Sequence, residues 1–378
     1  MSVEIREIKL GGALKPFLEV VEDIYREDPN YVRPLDMDLR DRLDPKSPFF
    51  AHAQGTLFTA WRNGRCVGRT TAHIDREHLA HYRDDVGFFG LFDTIDDTEV
   101  ARTLLEHAGT WASSRGMKAL RGPMSLSVNE EIGCLVEGFD TPPMVMMPHH
   151  RPYQGALIEA AGFEKLKDLY AWKYTVGELP PRARRGHETI AAMPEIKNRP
   201  VDLKHFQRDV AIIMDIYNDA WSDNWGYVSM TRAELDKLAS DLRLIVMPEL
   251  TQIVSINDEP VAVAVTIPNI NEMLGDLHGK LLPIGLFKLL WRLKVRGPRS
   301  ARVMILGIKR KLRGMRKYAA LSAYMYVETH LAAERQGIYH GELSWTLEDN
   351  GAVNAGIRLM GGEIYKRYRL YQRSLANA

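Results

Sequence analysis

The nine residues from Lys309 to Lys317 place Lys309, Arg310, Lys311, Arg313, Arg316 and Lys317 around a single glycine, Gly314, with Met315 beside it. An apolar run, 303–308, precedes them and reads as a buried strand, and a helical pattern of about five turns follows. A loop that opens a helix offers free N–H groups and the positive end of the helix dipole, so this arrangement suits a polyanion. Backbone donors would hold a pyrophosphate, the cations would add attraction, and Gly314 would let the backbone approach closely.

The loop belongs to a wider basic stretch. Thirteen Lys or Arg fall between Lys280 and Lys317, and no Asp or Glu occurs between Asp276 and Glu328, although the chain as a whole carries only +1. Such concentration points to an anionic ligand or surface, while each cation taken singly also suits a solvated helix face. Within it, 280–296 reads KLLPIGLFKLLWRLKVR, with an apolar centre too short to span a bilayer. Three readings stay open for it: contact with a membrane interface, a cover over an acyl chain, or a helix packed on the domain with snorkelling basic ends.

Composition bounds the rest. A chain of 378 residues, 45% hydrophobic and 26% charged, is expected to be globular and to hold more than one core. Only Cys66 and Cys134 are present, so a disulfide framework or zinc ribbon is excluded and a reducing cytoplasm is expected. The start, MSVEIREIK, lacks an apolar signal region, and no apolar run reaches the ~20 residues of a spanning helix. The expected location is cytoplasmic, with peripheral contact to the inner membrane through 280–296 as an added expectation.

Periodicity predicts a strand at 3–9, helices at 14–25 and 33–42, a hairpin of strands 55–62 and 66–74 turning at Asn63-Gly64, a strand at 85–93, a helix at 97–116, a helix at 154–161 and a strand at 163–174. Residues 177–199, rich in Pro and charge, read as a linker. The order then repeats: strand 201–206, helices 207–220 and 231–243, strands 251–257 and 260–267, an insertion at 271–299, and the stretch described first. EDIY at 22–25 answers MDIY at 214–217, and ALIEAAGF at 156–163 answers AGIRLMGG at 355–362, which points to duplication. The domains expected are 1–176 and 200–378.

Two such halves, each a mixed central sheet flanked by helices (α/β, or α+β), resemble the GNAT acyltransferase fold in tandem. That superfamily cradles the pyrophosphate of coenzyme A in a loop of the form Arg/Gln-x-x-Gly-x-Gly/Ala. Here Lys311-Leu312-Arg313-Gly314-Met315-Arg316 matches the cationic first position and the middle glycine, with Arg316 in place of the second small residue. In the first half the equivalent residues, Phe92 to Asp97, include three aspartates that would repel a pyrophosphate, so the resemblance implies coenzyme binding in the second half alone. The chain as a whole is similar to bacterial tandem GNAT-like proteins that include the bacterial ceramide synthases, on the strings GPMSLSVNEEIGCLVEGFDTPP (122–143), LEDN (347–350) and GGEIYKRYRLY (361–371).

The resemblance implies transfer of a fatty acyl group from acyl-CoA to the amine of a long-chain sphingoid base, with no metal. The amine would attack the thioester directly, N–H groups near Gly307 and Ile308 would polarise the carbonyl, and Glu342 on the presumed fifth strand would take the proton. His340, two residues earlier, faces the same side of that strand. For either residue alone, an ordinary solvent-facing strand position is the competing reading. Where the superfamily often has an acidic tyrosine, this chain has Ile357, and Ile158 in the first half. That leaves Tyr365, Tyr368 or unassisted departure of the thiolate.

Weaker groupings remain. His149 and His150 resemble the start of the HHxxxDG signature of another acyltransferase fold, but Gln154 stands where its aspartate belongs; they are kept as acceptor-site residues. His73, Asp75, Glu77, His78 and His81 suit either a metal cluster or a polar loop, and Asn129, Glu130 and Glu131 a cleft. No Walker loop, GxGxxG, GxSxG or HxxxxD occurs. Two other functions stay in view: acetyl or aminoacyl transfer to a small amine or peptide, and a non-catalytic module that uses 280–317 on an anionic membrane. Nucleic acid is disfavoured, because the basic run has few interleaved aromatics.

Overall fold

The computed structural model describes residues 2–375, the Lys294 side chain excepted. The first half runs β1 (Glu4–Lys9), α1 (Lys15–Ile24), α2 (Asp36–Arg42), β2 (Ala53–Arg62), β3 (Arg65–Asp75), α3 (Arg76–Tyr82), β4 (Val86–Thr94), α4 (Thr98–Ser113), β5 (Ala119–Gly122), β6 (Cys134–Glu137), α5 (Gln154–Ala160) and β7 (Glu164–Thr175). Next come α6 (Pro181–Ala191), β8 (Ile196–Pro200), α7 (Phe206–Trp221), α8 (Arg232–Arg243), β9 (Gln252–Ile256) and β10 (Glu259–Pro268). The chain ends with α9 (Gly285–Trp291), β11 (Ser300–Ile308), α10 (Leu321–Arg335), β12 (His340–Leu347), α11 (Gly351–Leu359) and β13 (Glu363–Ser374).

Compact units cut across this order. One comprises Met1–Leu169, Met273–Arg292 and Lys366–Ala378; the other comprises Tyr170–Glu272 and Leu293–Tyr365. The division differs from the expected 1–176 and 200–378. The chain leaves the first unit inside β7, much of the insertion 271–299 returns to that unit, and so does most of β13. Residues 177–199 are not an open linker. Pro181 starts α6, Ala183 and Ile190 are buried along it, and Gly186 permits close packing on α10, since a Cβ there would lie 3.2 Å from Ala323 and 3.5 Å from Ala320. The expected strand at 201–206 lies earlier, at β8. There Ile196 to Pro200 pair with Ile256 to Gln252, while the Asp202 carboxylate instead caps a short turn at Lys204.

In each unit the strands pair antiparallel up to one parallel step. In the first, β1–β2–β3–β4 are antiparallel and β4 meets β5 in parallel from Val86↔Ala119 to Phe88↔Arg121. In the second, β8–β9–β10–β11 are antiparallel and β11 meets β12 in parallel from Ser300↔His340 to Val303↔Leu343. Among the described residues both parallel ladders end there, so each unit has a central pair of strands that part. Helix α4 lays Val100, Leu104, Leu105 and Ala108 on Phe58, Phe89 and Phe92, whereas α10 lays Leu321, Tyr324 and Met325 on Val254, Ala262 and Ala264.

A buried carboxylate pins the start of α7 to β8. Asp209 accepts from Arg199 at 2.6 and 2.8 Å and from the Asp202 N–H at 2.8 Å. Burial alone would raise its pKa, but these bonds and Arg208 bring it down to about 2. A folded value below the unfolded one gives stability that is present above about pH 4 and lost as pH falls toward 2. Urea unfolding should therefore show the wild type losing about 2 kcal/mol more than Asp209→Asn between those pH values.

Candidate active site

β12 enters the interior as it runs: His340 is exposed at its head, opposite Ser300, and Glu342 has no exposed surface. A carboxylate held away from water needs partners, and β11, β12 itself and β13 supply them. The hydroxyls of Ser344 and Tyr365 each donate to one Glu342 oxygen. Arg302, opposite Glu342 on β11, donates from Nε to the Ser344 hydroxyl at 2.8 Å and from Nη2 to the Ser344 carbonyl at 3.2 Å, with Nε 3.9 Å from Glu342 Oε1. Tyr365 is half-buried, so its hydroxyl links the carboxylate to a more accessible position.

The geometry thus brings Glu342 and Tyr365 together and leaves His340 apart. Ser344 and Arg302 were missed by sequence reasoning. The only sequence signal was an i, i+2 hydroxyl beside Glu342 and an arginine inside an otherwise apolar strand. Tyr368 is fully buried, on the part of β13 that belongs to the first unit.

The parting of β11 from β12 begins just past this group. The edge of β11 facing the gap, from Met304 to Ile308, is free of the β12 ladder, and alternate N–H groups of an extended strand point to that side. Gly307 has a packing reason as well, because a Cβ there would meet the Trp221 ring at 2.4 Å.

After β11 the cationic loop forms two tight turns, Arg310–Leu312 and Arg316–Tyr318, before α10 begins at Leu321. The helix therefore starts later than the sequence pattern suggested. Many of the expected cations are answered by acids from remote segments: Lys309 by Asp215 at 2.7 Å, Arg310 by Asp223 at 2.9 Å, Lys311 by Glu259, and Lys317 by Glu195 at 2.5 Å. The Asp219 carboxylate accepts from the Arg310 N–H at 2.6 Å, and Arg313 donates to the Ala220 carbonyl at 2.6 Å. Gly314 takes φ +81 with open space around it, a conformation that favours glycine, and Met315 and Arg316 are exposed beside it. Ala320 gives α10 no side-chain cap.

The first half differs at each equivalent point. Asp97 caps α4 by accepting from the Val100 N–H at 3.1 Å and is paired with Arg62 at 2.5 Å. Asp93 is buried against Arg69 at 2.8 Å and Tyr25 at 2.5 Å; burial alone would raise its pKa, but Arg69 foremost holds it below the usual carboxylate range. The gap between β4 and β5 is filled by the chain itself, with the Met124 N–H donating to the Phe89 carbonyl at 2.7 Å and the Met124 oxygen where a Cβ on Gly90 would fall.

The remaining groupings have structural partners. His149 meets Asp28 at 3.0 Å, and His150, pushed down to about 4 by burial, accepts from the Leu135 N–H. Glu130 and Glu131 face Arg42. His78 pairs with Asp84 at 3.0 Å, His52 with Asp75 at 2.9 Å, and His73 packs between Phe49 and Phe88.

No protein-family model matches the chain. It is 40% identical to the bacterial ceramide synthase of Caulobacter vibrioides, over 99% of this chain and 98% of that protein. It is 36% identical to protein YghO of Escherichia coli, over 96% and 93%. Among solved structures, a tandem GNAT protein from the clavulanic acid biosynthesis pathway matches with TM-score 0.56 and 11% identity, covering 100% of both chains. A GCN5-related N-acetyltransferase from Sphaerobacter thermophilus matches with TM-score 0.55 and 12% identity, covering 98% and 96%. With the repeated sheet, its two parting strand pairs and this identity along nearly the whole length, the chain belongs to the family of tandem GNAT-fold acyltransferases that contains the bacterial ceramide synthase.

Proposed function

We propose that this acyltransferase moves a fatty acyl group from acyl-CoA to the primary amine of a long-chain sphingoid base, using the second half for coenzyme and chemistry. The buried Glu342, bound to Tyr365 beside the opening between β11 and β12, carries the mechanism; the identity to a ceramide synthase supports the acceptor class. Coenzyme A enters as a substrate. Its pyrophosphate would meet the uncapped start of α10 with Arg316 alongside, while the capped α4 and the filled β4–β5 gap favour a first half without coenzyme.

In the reaction the neutral amine attacks the thioester carbonyl, whose developing negative charge faces N–H groups on the open edge of β11. The C–N bond forms and the C–S bond breaks. The ammonium proton passes to the Tyr365 oxygen as the phenol proton passes to Glu342, and the departing thiolate is protonated by solvent. Arg302 compensates the carboxylate charge before the transfer, and Ser344 fixes its orientation.

Purified protein mixed with acyl-CoAs of graded length and a sphingoid base should release free thiol and form an amide, followed by mass spectrometry; no turnover with any chain length would sink the proposal. Glu342→Gln should lower kcat by about 10²-fold or more with coenzyme A affinity unchanged, the size general-base removal usually has, and Tyr365→Phe should follow the same pattern. Full turnover in both variants would remove Glu342 from the mechanism. Arg316→Glu tests the loop. Because this side chain is exposed, the unfolding midpoint should stay at the wild-type value while coenzyme A binding, measured by calorimetry, weakens by roughly 10-fold at low salt. Unaltered affinity would place the pyrophosphate elsewhere.

A further inference from the structure

Helix α9 and the turn before it carry their apolar side chains on the outside. Leu282 is 79% exposed, Ile284 63%, Phe287 74% and Trp291 61%, with Leu286 and Leu290 also exposed. At 100° per residue, Gly285 and Leu289 share the inward face of α9, and Leu286, Phe287, Leu290 and Trp291 share the outward one. Normal amphipathicity is thus inverted.

This segment is tied to the start of α2 and braced by bonds within itself. The Asp36 N–H donates to the Gly279 carbonyl at 2.9 Å, Leu274 and Leu277 are buried, and Arg292 donates to the Met273 carbonyl at 2.6 Å and to Asp276 at 2.8 Å. Lys288 reaches Asp276 at 3.3 Å, and Lys280 is exposed at the other end. An outward apolar ridge of this size, flanked by Lys280 and Lys288, with Asp276 bonded to Arg292 and Asp36 to Arg33, has a defined chemistry.

We propose that this ridge docks the protein on an anionic lipid bilayer, with Leu282, Ile284, Phe287 and Trp291 entering the interfacial zone and Lys280 and Lys288 facing lipid phosphates. Side chains that stand out this far form a ridge rather than a groove, which suits a fluid interface more than one enclosed chain. Docking of a second copy through the same ridge would bring like cations together. A tryptophan beside basic residues is also the composition that favours the headgroup level. The proposal is independent of the acceptor assigned above, since it requires only a surface.

Flotation of the full chain with phosphatidylglycerol-containing vesicles, against phosphatidylcholine alone, tests it. Wild type should float with the anionic vesicles, release with rising salt, and bind phosphatidylcholine weakly. Phe287→Glu with Trp291→Glu should reduce partitioning on the order of 10-fold or more with an unchanged unfolding midpoint, and Lys280→Glu should reduce it less. Wild type remaining in the soluble fraction, or the double variant floating equally well, would overturn the proposal. So would a concentration-dependent dimer that the double variant abolishes without any vesicle binding. Thiol release from a short, soluble acyl-CoA with a soluble amine should be equal in wild type and the double variant, which separates failure of docking from failure of catalysis.

Discussion

Moving a carboxylate into a site with no solvent exposure costs several kcal/mol unless charge and hydrogen bonds are returned to it. That requirement organises the second half around Glu342. Its partners come from three strands: Arg302 on β11, Ser344 two residues along β12, and Tyr365 on β13. Each must arrive in register, because a one-residue slip of β12 would turn Glu342 to the other face of the sheet. The parallel ladder from Ser300 to Val303 fixes that register and then ends, so the residues that hold the carboxylate stand where the strands begin to part. The register of Glu342 against Arg302 and the opening follow from the same short ladder.

The two halves show how one fold is closed or left open by a few residues. In the first, Asp97 satisfies the start of α4, Asp93 is taken by Arg69 and Tyr25, and the segment around Met124 lies in the gap between β4 and β5. An anion approaching that helix would have to displace a carboxylate already bonded there. In the second, α10 follows two tight turns with no side-chain cap, and the cations before it are partly neutralised by α7. Asp215, Asp219 and Asp223 recur at four-residue spacing at the end of α7 and just beyond, so they line up on the side facing the loop. This acidic row tempers the loop's field and holds its shape.

The order of elements was legible because it rests on local periodicity: alternation in β2 and β3, the 3.6-residue stripe of α4 and α7, and the Asn63-Gly64 turn. Glu342 and Tyr365 could be singled out, but their contact could not, since it joins side chains on two strands that do not pair with each other. The basic stretch is visible as a string in the sequence, but the acids that meet it are not. Its acids lie at Glu195, Asp215, Asp223 and Glu259, far away in sequence, and α9 and the loop even fall in different compact units. Helix α6 was hidden by its composition, because a stretch rich in Pro and charge reads as a linker, although Pro181 starts the helix and Gly186 is its contact point with α10.

Glycine in this chain illustrates why motif and packing must be weighed together. Gly314 matches a phosphate-loop position, and its φ of +81 with open space around it fits that use. Gly307 was expected only as a backbone donor near the reacting carbonyl, yet Trp221 lies so near that a Cβ at 2.4 Å would force the ring aside. Trp221 ends α7, stacks on Tyr217 at 5.0 Å, and is followed by the acid that holds Arg310. A larger residue at 307 would therefore act on the loop as well as on the strand, by moving the helix end that anchors it. The strand edge and the basic loop are coupled through one aromatic ring, and a substitution at Gly307 cannot be interpreted as the loss of a single N–H donor.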